Sequence, residues 1–574
     1  MTKSVRSTLP SATHDRLSVE ALPVEAENMK MATIPRSSDS DMTSTNPADE
    51  GAAGANEPQY LTGVKFWTIM ASVTAVAFLM MLDTSIISTA RPKVPRITDE
   101  FHSLEDVGWY ASAYQLASAA LQPLTGKIYT KFSLKWSFLG FFALFEIGSL
   151  ICGAAVSSTM LIVGRAIAGM GASGLMNGGL TIIASAVPLD KRPSVTGSMM
   201  GISQLGIVCG PLVGGALTSY ATWRWCFYLN LPFGAIVAVG LFLVHIPDQI
   251  KKQSPISVLR NLHHELDLIG FVLFAPAAIQ LLLALQYGGS DYAWNSATVI
   301  GLFCGAGATF VVWLVWNWHC GEGALIPLST VKKRVVWSTS LTQWLLMSTL
   351  YCSTYFVPIY FQAVKDATPI LSGVYMLSSI VSQLLFAISS GVLVERTGFA
   401  IPYAVFAGIL AAVSSGLMAT WSPTTPTGEW VGYLILGGSG RGAGMQMPTL
   451  ALQATLRQAE IAVAIALLMF FQMLGAAVML VISNIIFMET LRSQLVTLVP
   501  NANVDDIIKA GATGFRNIIS AKDLPGVLLA FANSIDRVFW LVAALGGLSV
   551  FTALFMGWVD IRKKKAPATG SEQA

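Results

Sequence analysis

Asp83 and Arg165 are ionisable side chains inside apolar runs long enough to cross a bilayer, where an unpaired charge is costly and calls for a reason. Asp83 falls near the far end of the run 64–88, and Arg165 close to the start of the run 159–186. If the two runs are helices of opposite direction, each rising about 1.5 Å per residue, both groups reach similar depth and can meet. The proton affinity of a buried carboxylate depends on whether a guanidinium stays beside it, so a movement separating the two would couple proton binding to conformation. A static ion pair, or a charge reaching out to the membrane surface, is the alternative. Glu146 and Arg441 lie nearer the middle of their runs. Glu146 is a proton carrier, a contact for a cationic substrate or a protonated structural acid, and Arg441 lines a cavity or is structural.

The run containing Gly206-Ile-Val-Cys-Gly-Pro-Leu-Val-Gly-Gly215 carries a second kind of chemistry, that of close packing. Gly206, Gly210 and Gly214 repeat every four residues and share one helix face, letting a neighbouring backbone approach closely. Pro211 removes one helical hydrogen bond and predicts a kink or weak point beside Gly215. Uncharged polar and aromatic residues inside other runs, Tyr114, Gln115, Gln204, Asn230, Gln343, Tyr355, Gln383 and Gln472, either outline a substrate chamber or hydrogen-bond across the bundle.

Positioning these residues requires many helices in lipid. Charged residues are only 12% of the chain against 53% hydrophobic, too little polar surface for a soluble protein of 574 residues. Runs of roughly 20 apolar residues number about fourteen. They predict an all-α polytopic membrane protein with two six-helix bundles and two inserted helices. Residues 1–60 are a polar, acidic and Ser/Thr-rich tail, expected to be disordered and cytosolic. The first bundle spans 61–248, the inserted spans and their linkers 249–336, the second bundle 337–562, and a short cytosolic tail 563–574. Within the second bundle, 489–537 is expected as an outer loop, with Val504, Ile507, Ile508, Phe515, Ile518 and Ile519 spaced for short amphipathic helices.

Basic residues orient the bundle. Lys127, Lys131, Lys135, Lys191, Arg192, Lys332, Lys333 and Arg396 belong to one set of short loops, whereas the other set holds only Arg91, Lys93, Arg96, Arg224 and Lys365. The asymmetry predicts both termini on the cytosolic side. The six cysteines show no C-x-x-C pair and the six histidines are scattered, so no metal, cofactor or catalytic constellation is indicated and the chain is not expected to be an enzyme. No G-x-x-x-x-G-K-[ST] loop is present, which argues against a nucleotide-driven pump.

The halves echo each other. Gly126-Lys127-Ile-Tyr-Thr-Lys131 follows the second span and Gly391-Val-Leu-Val-Glu395-Arg396-Thr-Gly398 the tenth, and Arg165 and Arg441 each sit among glycines two spans later. With these motifs assembled, the chain resembles the major facilitator superfamily, and within it the fourteen-span drug:proton antiporter branch with its fungal toxin and secondary-metabolite efflux pumps. Gly206 to Gly215 fits the G-x-x-x-G-P-x-x-G-G antiporter motif throughout, and Leu82 to Pro92 is similar to the first-span motif, with Arg91 where an apolar residue is usual. Thr130 stands where the first loop motif expects Asp, which puts a charge latch there in doubt. Glu395 keeps the acidic place in the second.

The resemblance implies a major facilitator fold and secondary active efflux of hydrophobic or amphipathic small molecules by proton antiport. Protons, substrate and lipid are then the partners, with no cofactor, no nucleic acid and a monomeric state. It implies a plasma membrane location, with the vacuolar membrane as alternative. A proton-coupled importer of a siderophore or nutrient, or a nontransporting sensor on the same fold, is the competing reading.

Overall fold

A computed structural model describes residues 60–88, 101, 106–250, 252–289, 292–500 and 502–562, all within one compact unit, Pro58–Ala574. The tail 1–60 apart from Tyr60, the residues Arg91, Pro92, Lys93 and Arg96, and the tail 563–574 lie outside the described residues.

Helices form at all fourteen expected places. In chain order they are α1 Gly63–Ser88, α2 Val107–Lys131, α3 Leu134–Gly153, α4 Ser158–Ala186, α5 Arg192–Tyr220, α6 Asn230–Leu243 and α7 Leu268–Tyr287. There follow α8 Ala297–Cys320, α9 Arg334–Ala363, α10 Pro369–Thr397, α11 Ile401–Met418, α12 Thr427–Gly444, α13 Gln458–Leu498 and α14 Leu524–Leu554. Among the described residues, ten helical segments are long and apolar enough to cross a membrane. Caps mark several starts: Ser157 accepts from Met160 N at 3.2 Å, Thr368 from Leu371 N at 3.2 Å and Ser296 from Val299 N at 3.3 Å. At the end of α10, Gly398 takes φ +85°, the left-handed region that glycine enters without strain.

α9 is rich in buried Ser and Thr yet stays helical for 30 residues. Thr339, Thr342 and Ser348 donate to the carbonyls of Val335, Ser338 and Trp344 four residues back at 2.6 to 2.8 Å, so each hydroxyl is satisfied inside its own helix. These three hydroxyls occupy the packed interior without needing a partner from another helix, and Thr342 also reaches Thr552 of α14 at 2.9 Å.

The packing separates two groups of helices. α1 packs on α5 and α6, α4 on α2 and α3; α9 packs on α13 and α14, α10 on α12, and α11 on α12 and α14. The groups are joined by α2 with α13, α5 with α10 and, less extensively, α4 with α13. The hairpin of α7 and α8 lies against that junction, because α7 touches both α2 and α13. Phe274 of α7 meets Phe470 of α13 edge-on with ring centroids 5.1 Å apart.

The expected outer loop 489–537 is corrected by the structure. α13 continues to Leu498 and, at 41 residues, is about 60 Å long, twice the roughly 30 Å of a hydrocarbon core. α14 starts at Leu524 rather than at 538. Between them stand one short helix, Val504–Gly514, with Ile507 buried, and a turn whose Phe515 stacks on Phe531 at 5.0 Å. Glu489, Arg492, Asp536 and Arg537 interrupt the apolar pattern without interrupting the helices. Hydropathy marks where lipid ends, and helix propagation ignores that limit.

Candidate functional site

Near the far end of α1, Asp83 Oδ2 meets Arg165 Nη1 of α4 at 2.6 Å, with both residues 1% exposed. The two side chains placed at similar depth by helix geometry are thus in contact. Arg165 Nε donates to the Tyr110 carbonyl at 3.0 Å, and its guanidinium stands over the Tyr114 ring at 4.4 Å, so the arginine is held from three sides. Asp83 is held less completely: its Oδ1 is buried with no protein hydrogen-bond partner. A buried pair with one unsatisfied carboxylate oxygen is sensitive to small displacement, because losing the guanidinium leaves a charge in a dry site.

Three residues that periodicity did not single out support this pair. The Ser158 hydroxyl, at the start of α4, donates to Asp106 Oδ2 at 2.5 Å and lies 2.9 Å from the Tyr110 hydroxyl. Asp106, Ser158 and Tyr110 thereby pin α2 to α4 just beyond Arg165. Their only sequence signal is a Ser at a helix start, which reads as an ordinary cap.

The glycine face of α5 is pressed onto the same stretch of α1. A Cβ on Gly206 would stand 2.6 Å from the Phe78 carbonyl oxygen and 2.8 Å from Leu82 N; on Gly210, 2.6 Å from Ser85 Cβ; on Gly214, 3.4 Å from Ile86 Cγ2. The Ser85 hydroxyl donates to the Ile207 carbonyl at 2.7 Å, locking the register. Asp83 is therefore carried on the one segment of α1, residues 78–86, that α5 grips by backbone contact. Around Pro211, where a kink or weak point is expected, α5 remains one helical element through Gly215.

The other ionisable candidates are separate. Both carboxylate oxygens of Glu146 are buried without a protein partner, in space left by Gly234 of α6, whose Cβ would come within 2.2 Å of Oε1. Arg441, the counterpart of Arg165, donates to the Ser379 hydroxyl of α10, its Nε has no partner, and no carboxylate pairs with it among the described residues. The chamber candidates scatter as well. Gln343 Nε2 donates to Gln472 Oε1 at 2.8 Å across α9 and α13, and Gln383 Nε2 reaches Met445 Sδ at 3.8 Å. Asn230 Nδ2 donates to Ser149 Oγ at 3.1 Å, pinning α6 to α3. Tyr114 belongs to the ion pair, Gln204 is buried, and Gln115 and Tyr355 are exposed.

The two loop motifs mark one end of the bundle, and there the helix groups close on each other. A Cβ on Gly126 would lie 2.8 Å from Val463 Cα of α13, and one on Gly391 2.5 Å from the Pro193 carbonyl oxygen at the start of α5. The Ser194 hydroxyl donates to the Glu395 carboxylate, Gln453 Nε2 donates to the Leu180 carbonyl at 3.2 Å, and Gln458 Nε2 to that of Ala184 at 3.4 Å. The Arg396 carbonyl accepts from Arg562 at 2.8 Å. Thr130, in the place of the expected Asp, donates only to the Gly126 carbonyl at 2.8 Å. The first loop motif instead reaches the inserted linker, with Lys127 Nζ donating to the Gly323 carbonyl at 3.2 Å and Lys131 paired to Glu265 at 2.5 Å.

The hydrogen bond from Lys131 holds the Glu265 carboxyl below the usual glutamate range. A depressed carboxyl contributes above its unfolded value and loses that contribution as pH falls through the folded one. The linker contact is expected to persist from neutral pH down to about 4.3, the ordinary glutamate value, and to weaken only below it. Glu265→Gln is expected to remove that acid sensitivity and to shift thermal stability by no more than about 1 kcal/mol, since the pair is partly exposed. Melting curves of both proteins between pH 3 and 7 check this; identical pH profiles would show the pair to be inert.

Comparison with known proteins adds the family. The family model described as Major Facilitator Superfamily matches residues 73–480. The chain is 54% identical over 517 residues to the MFS-type transporter pigP of Monascus ruber, covering 90% of each chain. It is 47% identical over 520 residues to the efflux pump mlcE of Penicillium citrinum, covering 89% of this chain and 94% of that protein. Among solved structures, the proton:xylose symporter XylE matches with TM-score 0.54 at 14% identity over 86% of this chain and 95% of that one. The organic anion transporter MFSD10 matches with TM-score 0.53 at 13% identity, over 85% and 98%. Those two likenesses concern the fold alone, and with the family match and the fungal relatives they lead to one statement: the chain belongs to the major facilitator superfamily.

Proposed function

We propose that the chain is a secondary active efflux transporter that exports hydrophobic or amphipathic small molecules by alternating access, in exchange for protons. The observation that carries this reading is the buried Asp83–Arg165 pair on the α1 segment gripped by the α5 glycines. The relatives named as efflux pumps favour the outward direction.

In this reading residues 61–248 and 337–562 are the moving halves, jointed where α2 meets α13 and α5 meets α10, with 249–336 inserted beside the joint. With both termini cytosolic, the end closed by Gly126, Gly391 and Glu395 is the cytosolic gate, and the conformation described is outward-facing. Opening that gate requires the cytosolic ends of α5 and α10 to part. Since α1 moves with α5, the parting changes how Asp83 sits against Arg165 on α4. For exchange, a proton from outside displaces Arg165 from Asp83 before the cytosolic gate opens, and re-forming the pair while that gate is open releases the proton to the cytosol. Proton movement inward and substrate movement outward then share one conformational cycle.

The test is efflux from reconstituted vesicles against a panel of apolar organic molecules, with and without an imposed pH gradient. Outward movement that follows the gradient supports the reading. Gradient-driven uptake would replace it with an importer, and absence of flux for the whole panel would leave a sensor.

A further inference from the structure

A cavity of about 350 Å3 is built entirely from second-half helices, at the end of the bundle opposite the closed loops. Its lining is polar: Thr490 and Gln494 of α13, and Asn533, Asp536 and Arg537 of α14, with Trp540 at the rim. Asn533 Nδ2 donates to Gln494 Oε1 at 2.9 Å, which fixes α13 to α14 at the cavity wall. Asp536 Oδ1, by contrast, is buried and accepts no hydrogen bond from the protein. Arg537 beside it is exposed, and no ion pair joins the two among the described residues.

Each of these groups asks for a different complement. A buried carboxylate oxygen without a donor is costly, so it favours a ligand bringing N–H or O–H groups. A guanidinium facing the same space favours an anionic oxygen, phosphate above all. Water or a metal cation would satisfy Asp536 and leave Arg537 unused. A group carrying a primary ammonium and a phosphate a few bonds apart satisfies both. Choline does not, because its quaternary nitrogen has no N–H to give.

Position selects the source of that group. Trp540 is 57% exposed and stands in α14 where the charged Asp536 and Arg537 give way to an uninterrupted apolar stretch, the place at which an outward indole marks the headgroup level of a membrane. Along α14 from Trp540 towards the membrane interior, Leu548 and Phe551 are 50% and 65% exposed, an apolar track for acyl chains. We propose that this cavity binds the headgroup of a phosphatidylethanolamine molecule, with its ammonium on Asp536 and its phosphate on Arg537. The site is independent of the Asp83–Arg165 pair.

Native mass spectrometry of the full-length protein in detergent tests this, with equimolar phosphatidylethanolamine, phosphatidylcholine and phosphatidylglycerol added. The wild type is expected to retain phosphatidylethanolamine about five- to tenfold over each of the others, the worth of one or two charge-assisted hydrogen bonds. Asp536→Asn is expected to erase the preference while phosphate-bearing lipids still bind. Arg537→Gln is expected to lower retention of all three, and because Arg537 is exposed this variant stays informative if Asp536→Asn does not fold. Equal retention by the wild type, retention of all three lipids unchanged in Arg537→Gln, or a preference unchanged in folded Asp536→Asn, overturns the site. Displacement of the lipid by O-phosphoethanolamine at equal concentration would overturn the lipid as its occupant.

Discussion

Asp83→Asn is expected to cut flux driven by a pH gradient by about two orders of magnitude, the scale set by losing a positioned proton-transfer group. The side chain keeps its volume and can still accept a hydrogen bond from Arg165, but it cannot carry a proton through the cycle. Substrate counterflow without a gradient is expected to survive, because the halves still rock about the α2–α13 and α5–α10 contacts. The substitution leaves a buried guanidinium without its counter-charge, at a cost of roughly 3–5 kcal/mol. The double variant Asp83→Asn/Arg165→Gln removes that penalty, and so is expected to recover thermal stability without recovering gradient-driven transport. Wild-type pH dependence in Asp83→Asn would remove the carboxylate from the coupling mechanism. Recovery of gradient-driven flux in the double variant would show that the pair serves stability alone.

Gly210→Leu is expected to block transport more than tenfold while leaving the order of substrate preference unchanged. Even a methyl group at this position would meet Ser85 Cβ at 2.6 Å, closer than carbon atoms pack, and the obstacle is α1 beside its own backbone rather than a flexible side chain. Overpacking of a tight contact costs about 1–3 kcal/mol, and here it is relieved only by moving α1 away from α5 and carrying Asp83 with it. Gly210→Ala is expected to give an intermediate defect. Gly214→Ala, where the nearest approach is 3.4 Å, is expected to be close to neutral. A panel of transport assays on the three variants checks the ranking. Altered preference with intact flux would instead place the glycine face on the substrate path.

Part of the site was legible before any coordinates. Depth along antiparallel helices brings Asp83 and Arg165 to one level, and the four-residue glycine repeat announces a close helix contact, because both inferences need only helical geometry. The partners of those residues were not legible. Nothing in the spacing says that Gly206 and Gly210 face the very turn that bears Asp83, or that Ser158 and Asp106 brace Tyr110 behind Arg165. The first loop motif was read as a latch weakened by Thr130, and the structure places Lys127 and Lys131 on Gly323 and Glu265 of the inserted linker. Sequence separation hides such contacts.

By itself the sequence determined the solvent, the helix class and the approximate course of the chain, because those depend on composition and on one-dimensional apolar runs. It also determined that a few charges would need partners. The tertiary structure alone decided who the partners are. Asp83 found Arg165, while Arg441, its repeat-related counterpart, found only the Ser379 hydroxyl. It also decided where helices stop, carrying α13 to Leu498 and beginning α14 at Leu524, so that Asp536 became part of a helix wall rather than a loop. The physical reason is common to both: hydropathy is a property of single residues in sequence, whereas pairing a charge or extending a helix beyond lipid is settled by neighbours from distant parts of the chain.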